Sequence, residues 1–246
     1  MNSLIEKFEI RSYETDFKQE LRPFAFMNYA QYMAEKHATV LKFGYENLLE
    51  NQTVWVLSRV NVHFLEYPRW NDIVTLKTWH KGTDRLFGIR DFRMTASDGR
   101  EIVVATSSWL IIDIKTRRVQ RVDRILPENE ENTQLGDAVK VPAGKIDPPQ
   151  NPELCFVKRV SYSDVDVNEH TNNAKYIEWA TDCLFADYDN VIKIKEMTVN
   201  FNSECRMGEE ISLYKEVFYE SASKIVRIFL EGKLGHPGIL VAEFKF

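Results

Sequence analysis

The sequence has no uninterrupted apolar run that approaches a membrane-spanning helix, which takes about 20 residues. It also has no excess of basic residues, because 32 lysines and arginines stand against 37 aspartates and glutamates, a net charge of −5. Nucleic-acid binding depends on a basic surface, so this balance argues against a nucleic-acid partner. The apolar content is ample for a sizeable core, and 246 residues allow one large domain or two small ones.

Cysteine is scarce as well. Cys155, Cys183 and Cys205 are an odd number of residues with no spacing typical of a metal site. Charged residues follow Met1 too closely for the apolar core of a signal peptide. We therefore expect three reduced thiols in a cytoplasmic protein, with no bound metal. Glycine-rich phosphate loops are absent too, so we expect the protein to work without a cofactor.

Proline is concentrated in one place, since five of the eight prolines lie between Pro127 and Pro152. This stretch also has few periodic apolar residues. It predicts a linker at 123–152, between an N-terminal unit at 1–122 and a C-terminal unit at 153–246.

The two flanks have the same predicted layout, a strand-like piece followed by a helix and several strands with alternating polarity. The first helix is predicted at 24–49, with a break around Gly44, and the second at 172–185. Asp98-Gly99 is typical of a hairpin turn. The predicted strands are 54–65, 73–79, 85–94 and 102–114 in the first flank, and 196–201, 211–219, 224–231 and 239–246 in the second.

Two short segments recur in the same order, which indicates an internal duplication. Asn28–Met33 lines up with Asn172–Ile177, and Glu66–Ile73 lines up with Glu204–Ile211. An apolar helix followed by a long antiparallel sheet predicts an α+β fold in which each sheet wraps around a central helix. Pairing of the sheet edges would join the two units as a pseudo-dimer within one chain.

A polar group precedes the second helix, with Asp166, Asn168 and His170 at alternate positions. In an extended segment, alternate side chains point to the same side. An acid, an amide and an imidazole beside a helix N-terminus are the outline of a hydrolytic or acyl-transfer site. The alternative is that these are ordinary turn and capping residues.

The repeat alignment bears on this choice. It places the three polar residues opposite Arg22, Phe24 and Phe26. Generic caps should recur in both copies, so the difference favours chemistry in the second unit and apolar lining from the first.

Several segments carry a resemblance to a known family: Ile10–Glu14, Trp55–Arg59, Tyr67–Asp72, Thr116–Arg118, Asp164–Asn173, Lys175–Ile177 and Glu204-Cys205. They resemble the acyl-acyl carrier protein (acyl-ACP) thioesterases of plants and bacteria, and the likeness covers nearly the whole chain. The resemblance implies tandem hotdog domains, with acyl-chain binding in the N-terminal unit and catalysis in the C-terminal unit. It implies hydrolysis of fatty acyl-ACP to free fatty acid and holo-ACP in fatty acid biosynthesis.

The resemblance also assigns the catalytic set, which is Asp166, Asn168, His170 and Glu204, with Cys205 as a further candidate. The chain departs from the family pattern just before Glu204-Cys205. Phe201-Asn-Ser stands where family members often have arginines, which changes the local charge.

Two mechanisms are compatible with this set. In the first, Glu204 activates water while His170 and Asn168 position the water or the substrate. Asp166 holds His170 or Asn168, and backbone N–H groups near Asn172 and Asn173 stabilise the oxyanion. In the second, the Cys205 thiolate attacks and His170 is its base.

Other functions remain as alternatives. A coenzyme A thioesterase would differ only in the carrier, and a non-catalytic acyl-binding module would not need the polar set. Hydratases of this fold resemble a different pattern, with a His-Phe-Pro motif that this chain lacks.

The expected partner is an acyl carrier protein bearing a fatty acyl chain. Carrier proteins are acidic, so a chain of net charge −5 needs a local basic surface to attract one. A basic cluster at the end of the first half is the candidate: Lys115, Arg117, Arg118, Arg121 and Arg124. The protein is expected to be a monomer or a homodimer.

Overall fold

The computed structural model of the chain describes residues 2–125, 135–186, 193–220, 223–232 and 238–246. The chain forms two compact units, Met1–Ala143 and Gly144–Phe246, which are named unit 1 and unit 2. Within the described ranges, no helix is long and apolar enough to cross a membrane. The unit boundary falls inside the predicted linker, of which 126–134 lie outside the described residues.

Unit 1 is an antiparallel sheet with a long helix against it. Its helices are α1 (Pro23–Val40), α2 (Tyr45–Leu49) and α3 (Val122–Ile125). Its strands are β1 (Leu4–Glu9), β2 (Thr53–Phe64), β3 (Ile73–Asp84), β4 (Phe87–Thr95), β5 (Glu101–Asp113) and β6 (Val119–Gln120). The spatial order is β1-β3-β4-β5-β2, and β6 pairs with β5.

Unit 2 has the same plan with one described helix, α4 (Asn173–Leu184). Its strands are β7 (Glu153–Arg159), β8 (Glu196–Phe201), β9 (Glu210–Glu220), β10 (Ser223–Gly232) and β11 (Leu240–Lys245). The spatial order is β8-β11-β10-β9-β7, and every pair is antiparallel.

The core of each unit lies between its helix and its sheet. α1 buries Phe26, Met27 and Met33 almost completely and packs against β3. α4 buries Tyr176 and Ile177 and packs against β9 and β10. Each large apolar side chain removed from water contributes about 1.5–3 kcal/mol, so burial stabilises these helices more than helix propensity does.

The predicted order of elements is confirmed, and so is the break in the first helix, since α1 ends at Val40 and α2 begins at Tyr45. The chain turns between Val40 and Gly44, where a Cβ on residue 44 would lie 2.6 Å from the Thr39 hydroxyl oxygen. Only glycine permits this close approach. The predicted hairpin turn is also confirmed, with Gly99 at a φ of +87° between β4 and β5.

The duplication is visible in matching hydrogen bonds before the two long helices. Thr15 bridges Leu21 just as Val165 bridges Thr171. The Asp16 N–H donates to the Glu20 carbonyl at 2.9 Å, and the Asp166 N–H donates to the His170 carbonyl at 2.9 Å. Asp16 therefore corresponds to Asp166, and the two helix starts follow in the same register: Arg22 and Asn172 are the N-cap residues.

The helix alignment that set Asn28 against Asn172 is wrong, because the apolar pattern of a helix recurs every turn or two and does not define its register. The residues of unit 1 that correspond to Asp166, Asn168 and His170 are Asp16, Lys18 and Glu20, not Arg22, Phe24 and Phe26.

The second alignment is wrong by one residue. The Leu21 N–H donates to the Pro68 carbonyl at 2.9 Å, and the Thr171 N–H donates to the Cys205 carbonyl at 2.8 Å. Cys205 thus corresponds to Pro68, and Glu204 corresponds to Tyr67 rather than Glu66.

Two of the three cysteines are paired. Cys155 in β7 and Cys183 in α4 form a disulfide bond, with their Cα atoms 5.9 Å apart. The expectation of three reduced thiols is wrong for this pair, while Cys205 is a buried free thiol. The pair joins a strand to a helix packed near it, and no local pattern in the sequence reveals that contact.

A polar cluster is buried in unit 1, made of Arg90, His37, Thr78 and His80. Arg90 is 4% exposed, and its Nη1 donates to His37 Nδ1 at 2.9 Å and to Thr78 Oγ1 at 3.2 Å. A guanidinium only donates, so His37 Nδ1 accepts and the neutral ring carries its proton on Nε2. His80 faces Arg90 in the β3–β4 register, and burial together with the Arg90 charge lowers the pKa of His80 to about 4.

We predict that His80 makes the protein less stable in acid. Its pKa is about 4 when folded against 6.5 for an ordinary histidine, so between these values the unfolded chain binds the proton more readily. This contribution is complete above pH 6.5 and should fall by about 3 kcal/mol as the pH falls to 4.

Urea unfolding across that range tests this with His80→Gln, whose free energy of unfolding should depend less on pH than that of the wild type. Thr78→Val is the matched control, since it removes a cluster hydrogen bond but no titratable group and should keep the wild-type slope. Equal slopes in His80→Gln and the wild type would contradict the prediction.

Candidate active site

The segment before α4 is a tight turn. Val165 and Thr171 form an isolated β-bridge around it, and the Asp166 N–H donates to the His170 carbonyl. Glu169 has a φ of 62°, in the left-handed region. The expectation of an extended segment with alternate side chains on one side is therefore wrong, because backbone hydrogen bonds close the turn.

Asp166 holds this turn with its side chain. Its Oδ1 accepts the backbone N–H of Asn168 at 2.8 Å, which is an Asx turn. In unit 1, Asp16 accepts the backbone N–H of Lys18 at the same distance of 2.8 Å. Because both units contain this aspartate, its turn geometry is common to them, and the groups that distinguish unit 2 lie at other positions.

His170 and Glu204 come together although they are far apart in sequence. His170 Nε2 lies 3.4 Å from Glu204 Oε2, and the two side chains are 20% and 32% exposed. Both are thus within reach of solvent and of a substrate. A carboxylate beside an imidazole can accept a proton from a water molecule and pass it on.

A clamp on the Cys205 backbone sets the separation of this pair. The Thr171 N–H and hydroxyl both donate to the Cys205 carbonyl, at 2.8 and 3.1 Å. The Cys205 N–H donates to the Tyr176 hydroxyl at 2.9 Å. Thr171 directly follows His170, and Cys205 directly follows Glu204, so the clamp aligns the two chain segments.

Unit 1 has only part of this clamp. Leu21, which corresponds to Thr171, has no hydroxyl, and Pro68 has no N–H to donate. Phe26 stands at the position of Tyr176 and has no oxygen to accept one. Thr171 and Tyr176 are not among the site residues predicted from the sequence, because their exchange for apolar residues appears only in the correct repeat register.

The Cys205 thiol is poorly suited to attack a substrate. The residue is 2% exposed, and burial raises the pKa of its thiol to about 11. The thiolate is the nucleophilic form, and very little of it exists near neutral pH at that pKa.

The start of α4 is capped from within the chain. Asn172 Oδ1 accepts the Ala174 N–H at 2.8 Å, and the Asn172 N–H donates to the Asp164 carbonyl at 2.9 Å. The Asn172 N–H is thus committed to the turn, whereas an oxyanion role for the Asn173 N–H stays a prediction.

Asn168 stands exposed in the turn, and its side-chain amide forms no hydrogen bond with any residue in the described ranges. It can therefore donate to or accept from a bound molecule. No three His, Cys, Asp or Glu side chains in the same ranges come together in a way that could hold a metal ion.

Unit 1 contains a narrow apolar cleft beside α1. Its open space of about 10 Å³ holds roughly one water molecule, so a longer apolar ligand would enter only as side chains move. Residues of α1, β4 and β5 line it, among them Met27, Ala30, Gln31, Phe92, Ala105 and Ser107.

Two curated relatives illustrate the sequence similarity. The chloroplastic oleoyl-acyl carrier protein thioesterase 2 of Arabidopsis thaliana is 27% identical over 226 residues, which cover 83% of this chain and 60% of the relative. The chloroplastic palmitoyl-acyl carrier protein thioesterase of Gossypium hirsutum is 28% identical, with 81% of this chain and 51% of the relative covered. The chain therefore spans only about half to three-fifths of the length of these relatives.

Two solved structures share the fold. An acyl-ACP thioesterase from Bacteroides thetaiotaomicron has a TM-score of 0.81 at 23% identity, covering 99% of this chain and 97% of that one. The 12:0-ACP thioesterase from Umbellularia californica has a TM-score of 0.83 at 22% identity, covering 99% and 93%. Each unit is thus a hotdog domain, as the sequence resemblance implied.

Family models match both halves of the chain. The acyl-ACP thioesterase N-terminal domain matches residues 2–128, which are more than half of the sequence. The acyl-ACP thioesterase C-terminal domain matches residues 154–232. This chain belongs to the acyl-ACP thioesterase family.

Proposed function

We propose that this protein hydrolyses the thioester of a fatty acyl-ACP and releases free fatty acid and holo-ACP. The observation that carries the proposal is the His170–Glu204 pair, 3.4 Å apart and reachable from solvent in unit 2. The clamp on the Cys205 backbone that aligns this pair has only an incomplete counterpart in unit 1. The family is also named for this reaction.

In the proposed reaction, Glu204 takes a proton from a water molecule whose oxygen attacks the thioester carbonyl carbon. His170 orients the Glu204 carboxylate, and the exposed Asn168 amide donates to the carbonyl oxygen as negative charge develops there. Asp166 acts through the backbone, because it holds the turn that carries both residues. The C–S bond then breaks and the sulfur leaves as a thiolate, which takes the proton held by Glu204 and so regenerates the base. The thiol has a pKa of roughly 8.5, so the thiolate departs with little help from an acid.

We expect Glu204→Gln to lower kcat by about 10²- to 10⁴-fold, because it removes the general base and changes few other contacts. Cys205→Ala should retain turnover close to that of the wild type, since it keeps the backbone groups of the clamp and loses only a protonated thiol. Steady-state release of carrier thiol measures both. The reverse ranking would identify Cys205 as the nucleophile and remove the water mechanism.

Tyr176→Phe tests the clamp. It leaves the buried Cys205 N–H without its acceptor, which should lower the free energy of unfolding by about 1–3 kcal/mol. Displacement of Glu204 should also lower kcat by about tenfold, with a smaller effect on KM.

Tyr29→Phe is the matched control for this variant, since it removes a hydroxyl hydrogen bond from α1 to Glu14 in unit 1. It should change stability but leave kcat unchanged. If Tyr176→Phe only lowered stability, as the control does, the clamp would have no part in positioning the pair.

The acyl chain is assigned to the N-terminal unit, 1–122, and the chemistry to the C-terminal unit, 153–246. The apolar cleft along α1 supports the first assignment. Because the open space in the cleft is small, the length of acyl chain that it accepts depends on how far side chains such as Met27 move. Methionine adapts readily to new packing.

The carrier protein is proposed to dock on residues 115–121, which follow β5 and include β6. Lys115, Arg117, Arg118 and Arg121 are all exposed there, whereas the side chain of Arg124 lies outside the described residues. A local basic surface attracts an acidic partner even when the whole chain is negative.

Charge reversal at Lys115 and Arg118 together should raise KM for a carrier-bound substrate by about tenfold or more, because electrostatic steering is lost. KM for the matching coenzyme A ester, measured in the same assay, should change much less. Equal effects on the two substrates would rule out this surface as the docking site.

Release of thiol from a panel of acyl-ACPs, with matching coenzyme A esters beside them, tests the function as a whole. Preference for the carrier-bound esters would support the proposal and report the chain length. Preference for coenzyme A esters would keep the chemistry and change the carrier. Tight binding with intact thioester after long incubation would indicate an acyl-binding module instead.

A further inference from the structure

Arg90 is a buried cation whose partners are all neutral. Its two hydrogen-bond partners are the His37 ring and the Thr78 hydroxyl. The next residue, Asp91, pairs instead with Lys81 at 3.4 Å and accepts the Ala138 N–H at 2.8 Å. In the described part of the chain, no carboxylate forms an ion pair with Arg90.

Such a charge is costly to bury. Burial lowers the pKa of Arg90 to about 9, and no nearby acid offsets this. His80, which faces Arg90 across the β3–β4 pair, is neutral above pH 4. A guanidinium in this setting is desolvated before any ligand arrives, so an anion that reached it would form a strong, charge-assisted bidentate contact.

The cluster borders the apolar cleft of unit 1. Arg90 pairs with Ser107 in the β4–β5 register, and Phe92, two residues along the same strand face, pairs with Ala105. Ser107, Phe92 and Ala105 all line the cleft.

Helix α1 also carries residues of both the cleft and the polar cluster. Ala30 lines the cleft, and His37 follows it two turns later on the same side of α1. The residues that carry the cation thus adjoin those that line the cleft, although Arg90 itself is buried behind the lining.

We propose that Arg90, with His37 and Thr78, binds a carboxylate at the far end of an acyl chain lying in this cleft. The substrate class is then the monothioester of a dicarboxylic acid, a chain with an ω-carboxylate. This deepens the proposed function and rests on it for the thioester, but the carboxylate site is testable without hydrolysis.

The first measurement is calorimetric binding to the whole purified chain. A long-chain fatty acid anion is compared with the primary alcohol of the same chain length, which lacks the charge. The wild type should bind the anion about 10- to 100-fold more tightly, the range of a charge-assisted hydrogen bond. Arg90→Met should abolish this preference.

Arg93→Met is the matched control, because it makes the same exchange on the same strand. Arg93 lies on the other face of β4, where it pairs with Glu101 at 2.6 Å, and its loss should leave the preference unchanged. Arg90→Lys keeps the positive charge but loses the planar guanidinium, which can donate two parallel hydrogen bonds to a carboxylate. It should therefore retain only part of the preference for the anion.

The second measurement is kcat/KM for ω-carboxyacyl and plain acyl thioesters of equal length. The proposal expects the ω-carboxyl chain to be favoured by the wild type and disfavoured by Arg90→Met. Hydrolysis of plain chains with no anion preference in either assay would overturn the proposal and leave Arg90 as a structural cation near the C-terminus of α1. A preference for the anion without hydrolysis of any thioester would support the carboxylate site and contradict the proposed thioesterase function.

If Arg90→Met fails to fold, the wild type still decides the question. A wild-type chain that binds the alcohol as tightly as the anion would overturn the proposal.

Discussion

Burial of one apolar helix against an antiparallel sheet is the interaction on which each unit depends. In unit 2 this packing brings the start of α4 to the chain segment that follows β8, where the Cys205 backbone meets Thr171 and Tyr176. The separation of His170 from Glu204 follows from that clamp. The attraction within the pair would not hold it, because a partly exposed ion pair contributes only about 0–1 kcal/mol.

Duplication left the backbone turn unchanged and altered its chemistry. Asp16 and Asp166 make the same Asx turn, and both turns have a residue at positive φ, Gln19 in unit 1 and Glu169 in unit 2. The residues that differ are Lys18 and Glu20 in unit 1 and Asn168 and His170 in unit 2. Their side chains are not needed for the backbone hydrogen bonds of the turn. One scaffold thus supports an apolar cleft in unit 1 and a solvent-reachable acid–imidazole pair in unit 2, because the backbone hydrogen bonds do not depend on those side chains.

The two buried charged residues on β4 of unit 1, Asp91 and Arg90, have different partners. Asp91 has a lysine and a backbone N–H as partners, although burial still raises the pKa of its carboxyl group. Arg90 has only neutral partners and lies opposite Ser107, which lines the cleft. Neighbouring residues of a strand point to opposite faces, which explains why the two charges do not neutralise each other although they are adjacent in sequence.

The order of helices and strands followed from the sequence by itself, because helical and alternating patterns are local. The family resemblance followed too, together with the candidate residues Asp166, Asn168, His170 and Glu204. Only the tertiary structure decided the repeat register, the Cys155–Cys183 bond and the pairing of His170 with Glu204. It also decided that Asp166 braces a turn and that the Cys205 thiol stays protonated, because burial, strand register and contacts between distant segments leave no local pattern in the chain.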